Sequence, residues 1–279
     1  MRTGPLDVPP LRVAAGQAAA VAGDVAANVA TAVALVRRAA EEGARLLVLP
    51  EAFLTGYAAD VFAGSLPAAD SLDEVWLAPL RDAAREAAMV VVVSSPLQRD
   101  GFRTLSTVVI DADGRASAPY DKQHLSGYER DHFTPGARGA TITVDGAVLG
   151  LSICYDGCFP EHARATADAG AIGYLNSAAY FVGSEHRRDL YYRARAIDNG
   201  MYVVFAGLVG RCGVAEFNGG SAIHDPEGRT VAGPMAGTGI VVADLDPAVV
   251  ARTRTEHPML ADRRTLGRSG TEVHAPRAD

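Results

Sequence analysis

The chain has 279 residues, of which 48% are hydrophobic, so it can bury a sizeable core. Its formal net charge is −7, and it has no lysine- or arginine-rich run, which excludes the basic surfaces that bind nucleic acids or anionic membranes. Three cysteines are too few for a disulfide framework, and no apolar run has the length of a signal peptide or a membrane span. We therefore expect a cytoplasmic protein.

The N-terminal part of the chain predicts an extension, a strand, a helix and a second strand. Residues 1–10 form the extension, and residues 11–17 form the strand. Asp24 is the predicted N-cap of the helix, and Gly43 is its predicted end. Between them, apolar side chains recur on one helical face: Val25, Val29, Val33 and Val36. The apolar run at residues 46–49 indicates a strand that is covered on both sides.

A second helix is predicted from a capping box, because Ser71 and Glu74 have the required spacing. The apolar residues of this helix would be Val75, Leu77, Leu80 and Ala84. Residues 89–93 predict another buried strand. Three dipeptides between β-like segments indicate hairpin turns: Asp113-Gly114, Asp145-Gly146 and Glu227-Gly228.

The second half of the chain repeats the alternation of helices and strands. The predicted helices and strands are, in order, residues 160–168, 172–175, 184–199, 201–205 and 239–243. No linker or short repeat interrupts them. We therefore predict one α/β domain with mixed sheets over residues 11–266, followed by a polar tail over residues 267–279.

Cys154 is the first candidate for chemistry. It follows the apolar run at residues 147–153 and precedes a predicted helix, so a tight turn at a strand end would carry its thiol. The backbone N–H of Tyr155 could then face the same point. Taken alone, however, a free cysteine is more often a small buried apolar residue.

Two acids and one lysine are further candidates. Glu51 ends an apolar strand, where an unpaired buried charge would be costly. Lys122 follows a hairpin strand and shares a face with Tyr120, while Asp121 points to the other face. Glu129 follows in a loop. Taken alone, each of the three could be an ordinary solvated side chain.

Three segments together make the sequence recognisable. The chain resembles the nitrilase (carbon–nitrogen hydrolase) superfamily in its three signature regions, in the family's order: LLVLPEAFLTGY, YDKQHLSGYERDHFTPG and LGLSICYDGCFPEHAR. The segments RARAIDNGMYVV and FNGGSAIHDPEG extend the resemblance over nearly the whole chain. It implies a four-layer α-β-β-α sandwich and a homodimer or a higher homo-oligomer.

The resemblance also implies roles for individual residues. Glu51 would be the general base, Lys122 the catalytic lysine and Cys154 the nucleophile, while Glu129 would help to position the lysine and the substrate. The oxyanion would lie between Lys122 and the backbone N–H of Tyr155. The residues expected to line the substrate pocket are Tyr57, Phe159, Asn176, Ala178 and Ala179. The mechanism needs no metal and no organic cofactor.

The residues after the nucleophile favour the amidase-like branch. Tyr155-Asp156 and Phe159-Pro160-Glu161 look more like amidases than like nitrile-cleaving or N-carbamoyl-cleaving members. The expected reaction cleaves a small linear amide to an acid and ammonia through a cysteine thioester. Nitrilase and N-carbamoyl amidohydrolase activities are the alternatives. Four departures from the common family pattern leave the exact substrate open: Asp121, Cys158, Asn176-Ser177 and Asp198.

Three other hypotheses compete. The spacing of Cys154, Cys158 and His162 could suit a metal, but the known zinc signatures are missing. A Cys–His protease could use His124, His132 or His162, but no protease signature surrounds them. A non-catalytic binding protein on the same fold is the alternative of a different class, although it would not need a thiol beside an ammonium group.

Overall fold

A computed structural model describes residues 8–264, which form two six-stranded sheets and a two-stranded ribbon. The strands of the first sheet are β1 Leu11–Gln17, β2 Leu46–Val48, β3 Val90–Arg99, β4 Phe102–Ile110, β5 Ala116–Asp121 and β14 Gly239–Leu245. Those of the second sheet are β6 Thr141–Val144, β7 Ala147–Ile153, β8 Gly173–Ala178, β9 Tyr202–Gly207, β12 Ala222–His224 and β13 Thr230–Ala232. The ribbon pairs β10 Val209–Cys212 with β11 Ala215–Asn218.

The α-helices of the described residues are α1 Val25–Glu41, α2 Ala59–Ala63, α3 Ala78–Glu86, α4 Pro160–Asp168, α5 Glu185–Asn199, α6 Pro247–Glu256 and α7 Met259–Asp262. None of them is long and apolar enough to cross a membrane.

The two sheets pack face to face and helices cover their outer faces. The strand order is β14-β1-β2-β3-β4-β5 in the first sheet and β13-β12-β9-β8-β7-β6 in the second. Across the interface, β1 contacts β9, β2 contacts β8 and β4 contacts β7. Helices α1 and α3 pack together beside the first sheet, whereas α4 contacts β7 and α5 contacts β9. The predicted four-layer α-β-β-α sandwich is confirmed.

Parallel strands at the centre of each sheet position the site. β2 lies parallel to β1 and β3, and β8 lies parallel to β7 and β9. The carboxyl ends of such strands meet at one edge, where α/β proteins bind their ligands. The two sheets approach each other at this edge. Glu51 follows β2 of the first sheet, and its backbone N–H donates to the carbonyl of Ala178, the last residue of β8 in the second sheet, at 3.4 Å.

Helix α1 begins as its sequence predicts. The Asp24 carboxylate accepts the backbone N–H of Ala27 at 3.0 Å, which satisfies one of the free donors of the first turn. Val29, Val33 and Val36 are buried and Val25 is partly buried, so the predicted apolar face is confirmed. The three predicted hairpin turns are also present, between β4 and β5, β6 and β7, and β12 and β13.

The predicted capping box at Ser71 and Glu74 is wrong. Ser71 donates its hydroxyl to the carbonyl of Ala68 at 2.9 Å, so the hydroxyl is engaged with the preceding turn. Helix α3 begins only at Ala78, with a proline in its first turn, where the missing N–H costs nothing. Val75, expected on its apolar face, lies before the helix and is 87% exposed.

The two predicted terminal segments reach beyond the described residues. Most of the extension over residues 1–10, and the whole of the tail over residues 267–279, lie outside residues 8–264.

Candidate active site

Cys154 occupies a strained turn at the end of β7. Its φ is +41°, in the left-handed region that residues with a side chain rarely adopt. Two hydrogen bonds hold the turn: Asp156 accepts the backbone N–H of Ile153 at 3.0 Å, and Tyr192 donates its hydroxyl to the Cys154 carbonyl at 2.9 Å. Cys154 is only 9% exposed. Cys154 therefore lies on a tight turn at the end of a strand, as predicted.

Lys122 lies between two carboxylates. Its Nζ is 2.6 Å from Oε1 of Glu51, and 2.7 and 2.8 Å from the two carboxylate oxygens of Glu129. All three side chains are completely buried. An isolated buried charge would be very costly, so these groups depend on one another for their stability inside the protein.

The two glutamates differ in their remaining partners. Glu129, in a 3-10 turn over Gly127–Asp131, accepts the Tyr57 hydroxyl at 2.6 Å and the backbone N–H of Ser126 at 2.8 Å. Glu51 has one oxygen on Lys122, while its Oε2 has no hydrogen-bond partner that meets normal geometry within the described residues. A free carboxylate oxygen can accept a proton from a neighbouring group.

The ionisation of these groups is coupled. Burial raises the pKa of Glu51 to about 8, against the opposing charge of Lys122, and the charge of Glu129 also raises it. Burial and the charge of Glu51 raise the pKa of Cys154 well above its ordinary value, opposed by Lys122 and the backbone N–H of Ala179. Burial lowers the pKa of Lys122, but the charges of Glu51 and Glu129 outweigh it, so the pKa is raised and the amine stays protonated. The backbone geometry agrees with this coupling, because Ile153 pairs with Ser177 on β8 and the next residue, Ala178, accepts the backbone N–H of Glu51. Cys154 and Glu51 therefore lie at the same edge of the two sheets.

The residues expected to line the pocket have varied surroundings. Tyr57 is buried and supports Glu129 through its hydroxyl. Ala178 is the last residue of β8, and its carbonyl accepts the backbone N–H of Glu51. Ala179 follows it, and its backbone N–H faces the Cys154 thiol. Phe159 is partly exposed and packs edge-to-face on Tyr155, with ring centroids 5.0 Å apart. Asn176 is fully buried in β8 and donates to the Ser152 hydroxyl at 2.8 Å.

A buried network around Asp156 was not predicted. The Asp156 carboxylate accepts hydrogen bonds from Tyr120 and His124, and His162 bonds to Tyr120 and Tyr174. The neighbouring residues give no signal for it, because Tyr120 and His124 stand in the polar segment YDKQH and Asp156 is more than 30 positions away in the chain.

The family departures lie around the cluster without removing any of its groups. Asp121 points away from Lys122 and pairs with Arg99 at 2.7 Å. Cys158 has its sulfur 3.4 Å from the Tyr180 hydroxyl. Asp198 lies 3.6 Å from Arg195 at the end of α5.

The metal hypothesis has no geometric support among the described residues. Both ring nitrogens of His162 are engaged with tyrosine hydroxyls, and Cys154, Cys158 and His162 do not form a cluster of metal-ligand atoms.

Comparisons with known proteins agree with this fold. A sequence model of the carbon–nitrogen hydrolase family matches residues 12–255. An (R)-stereoselective amidase from a Pseudomonas species is 34% identical, covering 83% of each chain. The deaminated glutathione amidase of Escherichia coli O157:H7 is 32% identical over 90% of this chain and 97% of its own.

Solved structures give the same result. A mutant amidase from Nesterenkonia sp. AN1, carrying the acetamide moiety of fluoroacetamide on its active-site cysteine, superposes with a TM-score of 0.81 at 30% identity. The match covers 92% of this chain and 95% of that one. The chain therefore belongs to the carbon–nitrogen hydrolase family, or nitrilase superfamily, and to its amidase-like branch.

Proposed function

We propose that this protein hydrolyses a small linear amide to a carboxylic acid and ammonia through a thioester on Cys154. The observation that supports this most is the buried Lys122 ammonium, held at 2.6 to 2.8 Å by Glu51 and Glu129 in the same cluster as the thiol. A binding site for a neutral ligand has no need of three buried ionisable groups in contact, whereas acyl transfer uses each of them.

In the first half of the reaction, Glu51 accepts the thiol proton while the Cys154 sulfur attacks the amide carbon. The carbonyl electron pair moves to oxygen, and this oxyanion lies between the Lys122 ammonium and the backbone N–H of Tyr155. Losing one such donor typically costs about 100- to 1000-fold in rate. Glu129 holds Lys122 in place for this contact and helps to orient the amide nitrogen.

In the second half, the C–N bond breaks. Glu51 returns its proton to the nitrogen, which leaves as ammonia, and the acyl group remains on sulfur. Glu51 then removes a proton from a water molecule, which attacks the thioester carbon. The C–S bond breaks, and the released thiolate takes back the proton from Glu51.

The relatives support an amide as the substrate. Two of the curated relatives above are amidases by name, and the Nesterenkonia enzyme carries an acetamide group on its cysteine. Nitrile hydrolysis and N-carbamoyl hydrolysis would use the same nucleophile, but no contact of the described residues favours them.

The test is an ammonia-release assay over short aliphatic amides, ω-amido acids, N-carbamoyl amines and nitriles. We expect at least one amide to be hydrolysed faster than any nitrile or carbamoyl compound. Cys154→Ala should abolish ammonia release, and Cys212→Ala, which alters a buried thiol on β10, should retain it. Intact-mass spectrometry of a quenched reaction should show the acyl group on the wild-type chain.

Two outcomes would contradict the proposal. Ammonia release at the wild-type rate by Cys154→Ala would exclude the thioester. A folded wild-type protein that releases no ammonia, and whose Cys154 is inert to alkylation, would favour a non-catalytic binding protein.

We also propose that the protein acts in the cytoplasm as a homodimer or a higher homo-oligomer. Its three cysteines are unpaired, which suits a reducing compartment. On α5, Leu190 and Ile197 lie two turns apart and are 67% and 48% exposed, so a second copy could cover them. Light scattering after size-exclusion chromatography would give the mass, and a monomer at micromolar concentration would contradict this assembly.

A further inference from the structure

Asp156 connects the turn that carries Cys154 to the segment that carries Lys122. Its Oδ2 accepts the backbone N–H of Ile153 at 3.0 Å, and its Oδ1 accepts the backbone N–H of His124 at 2.9 Å. Ile153 directly precedes Cys154, and His124 is two residues after Lys122. The Asp156 side chain is completely buried, so water does not compete for these bonds.

Two side chains also form hydrogen bonds with this carboxylate. Tyr120 donates its hydroxyl to Oδ2 at 2.6 Å, and Nδ1 of His124 lies 2.9 Å from Oδ1. The His124 ring stacks on Phe159, with centroids 3.9 Å apart. Burial raises the pKa of Asp156, but the hydrogen bond from His124, the electrostatic interaction with His162 and the hydrogen bond from Tyr120 outweigh it and lower the pKa. Asp156 is therefore an ionised group with four donors around it.

We propose that Asp156 is a positioning residue that fixes the Cys154 sulfur relative to the Lys122 ammonium, by holding one backbone N–H on each side. This inference rests on the roles proposed above for Cys154 and Lys122. The left-handed backbone of Cys154 supports it, because a residue with a side chain keeps this conformation only where its surroundings impose it. A purely stabilising role would lower stability but leave the rate per folded molecule unchanged.

Asp156→Asn tests the proposal, since an amide has the same shape but only one acceptor oxygen. In either orientation, one of the two backbone N–H groups would face the NH2 group and lose its partner. We expect kcat per folded molecule to fall by about 100-fold, the effect of a displacement of about 1 Å, with KM changed by less than about threefold.

A second measurement needs no substrate. The alkylation rate of Cys154 with iodoacetamide at pH 7, followed by peptide mass spectrometry, reports how well Lys122 stabilises the thiolate. We expect Asp156→Asn to slow it about tenfold. If no amide is hydrolysed but this rate still falls, the proposed function fails and the positioning role stands. If kcat and the alkylation rate both equal those of the wild type, the positioning role is overturned.

Asp225→Asn is the control for the same substitution outside the site. Asp225 accepts two backbone N–H groups, from Glu227 and Arg229 at 2.9 Å each, both on Oδ1, in the β12–β13 turn at the far edge of the second sheet. Its kcat should equal that of the wild type. If Asp156→Asn yields no folded protein, His124→Phe and Tyr120→Phe decide, because each removes one side-chain donor and keeps the carboxylate. A fall in kcat of about three- to tenfold in either variant supports the proposal, and a smaller fall in both overturns it.

Discussion

The charge balance at Lys122 controls the ionisation of the site. One ammonium group faces two buried carboxylates, and full ionisation of all three would leave a net negative charge out of contact with water. The raised pKa of Glu51, about 8, relieves this charge because the carboxylate takes up a proton at neutral pH. The group proposed as the general base therefore titrates in the working range, where proton transfer in both directions is efficient.

This ionisation predicts the pH dependence of the reaction. Only ionised Glu51 can accept the thiol proton, so kcat/KM should rise with pH through an apparent pKa near 8. Glu129 raises the pKa of Glu51 through its charge, so Glu129→Gln should move this rise to lower pH. A pH–rate profile of both proteins checks the shift. Glu227→Gln, a surface change, should leave the profile unchanged, and a shift to higher pH in Glu129→Gln would contradict the assignment.

Tyr57 provides a second prediction at this scale. Its hydroxyl donates to Glu129 at 2.6 Å in a buried environment, and hydrogen bonds to charged groups contribute about 1.5–3 kcal/mol. We expect Tyr57→Phe to lower the free energy of unfolding by about this amount and to reduce kcat, because Glu129 loses one of the contacts that hold it against Lys122.

Urea denaturation and steady-state kinetics measure the two effects of Tyr57→Phe. Tyr191→Phe is the control, since the Tyr191 hydroxyl only receives an exposed hydrogen bond from Arg187. Equal behaviour of the two variants would exclude a supporting role for Tyr57.

At the scale of elements, the beginnings of α1 and α3 show when a capping pattern forms a cap. Both segments have a suitable polar residue before apolar positions, but only Asp24 bonds to the first turn of its helix. The Ser71 hydroxyl has a nearer carbonyl, that of Ala68, and serine often satisfies itself locally in this way. The same local pattern thus gives a helix in one place and a turn in the other.

The difference predicts unequal costs for two substitutions. Asp24→Ala should lower the free energy of unfolding by about 1 kcal/mol, because it leaves a backbone N–H of α1 without its acceptor. Glu74→Ala should change it by less than about 0.5 kcal/mol, as is usual for surface sites. Urea denaturation measures both, and equal losses would mean that Glu74 caps a helix after all.

At the scale of the whole molecule, close packing of the layers places the nucleophile. A Cβ atom on Gly150 of β7 would lie 1.9 Å from a methyl group of Thr166 on α4, so a larger residue would force the helix away from the sheet. Helix α4 follows the Cys154 turn directly in the chain. A change in the spacing of the layers therefore reaches the site.

Gly150→Ala should lower the free energy of unfolding by about 1–3 kcal/mol, the usual cost of overpacking, and should also reduce kcat. Gly139→Ala is the control, because no atom of residues 8–264, apart from its two chain neighbours, lies within 4 Å of the Cβ position at Gly139. Thermal denaturation and kinetics on the two variants check the prediction. A Gly150→Ala protein as stable and active as Gly139→Ala would show that the layers adapt freely.

Local sequence patterns were enough to predict many of the helices and strands, and the signature segments were enough to predict the family. Strand β1, helix α1 and the three hairpin turns depend on short-range rules of periodicity, capping and turn chemistry, which are readable from neighbouring residues. The three signature segments likewise identified Glu51, Lys122 and Cys154 as candidates.

The contacts between these candidates, in contrast, depend on the three-dimensional arrangement of the strands. Lys122 lies 71 positions after Glu51, and their contact depends on the strand order of the first sheet, which carries both. Asp156 lies 36 positions after Tyr120, and their contact depends on how the two sheets pack, because β5 and β7 belong to different sheets. For the same reason, the support of Glu129 by Tyr57 and the bridging role of Asp156 had no sequence signature. A side chain chooses its partner from all the groups that the packed layers bring within reach, and a local pattern contains only the nearest of them.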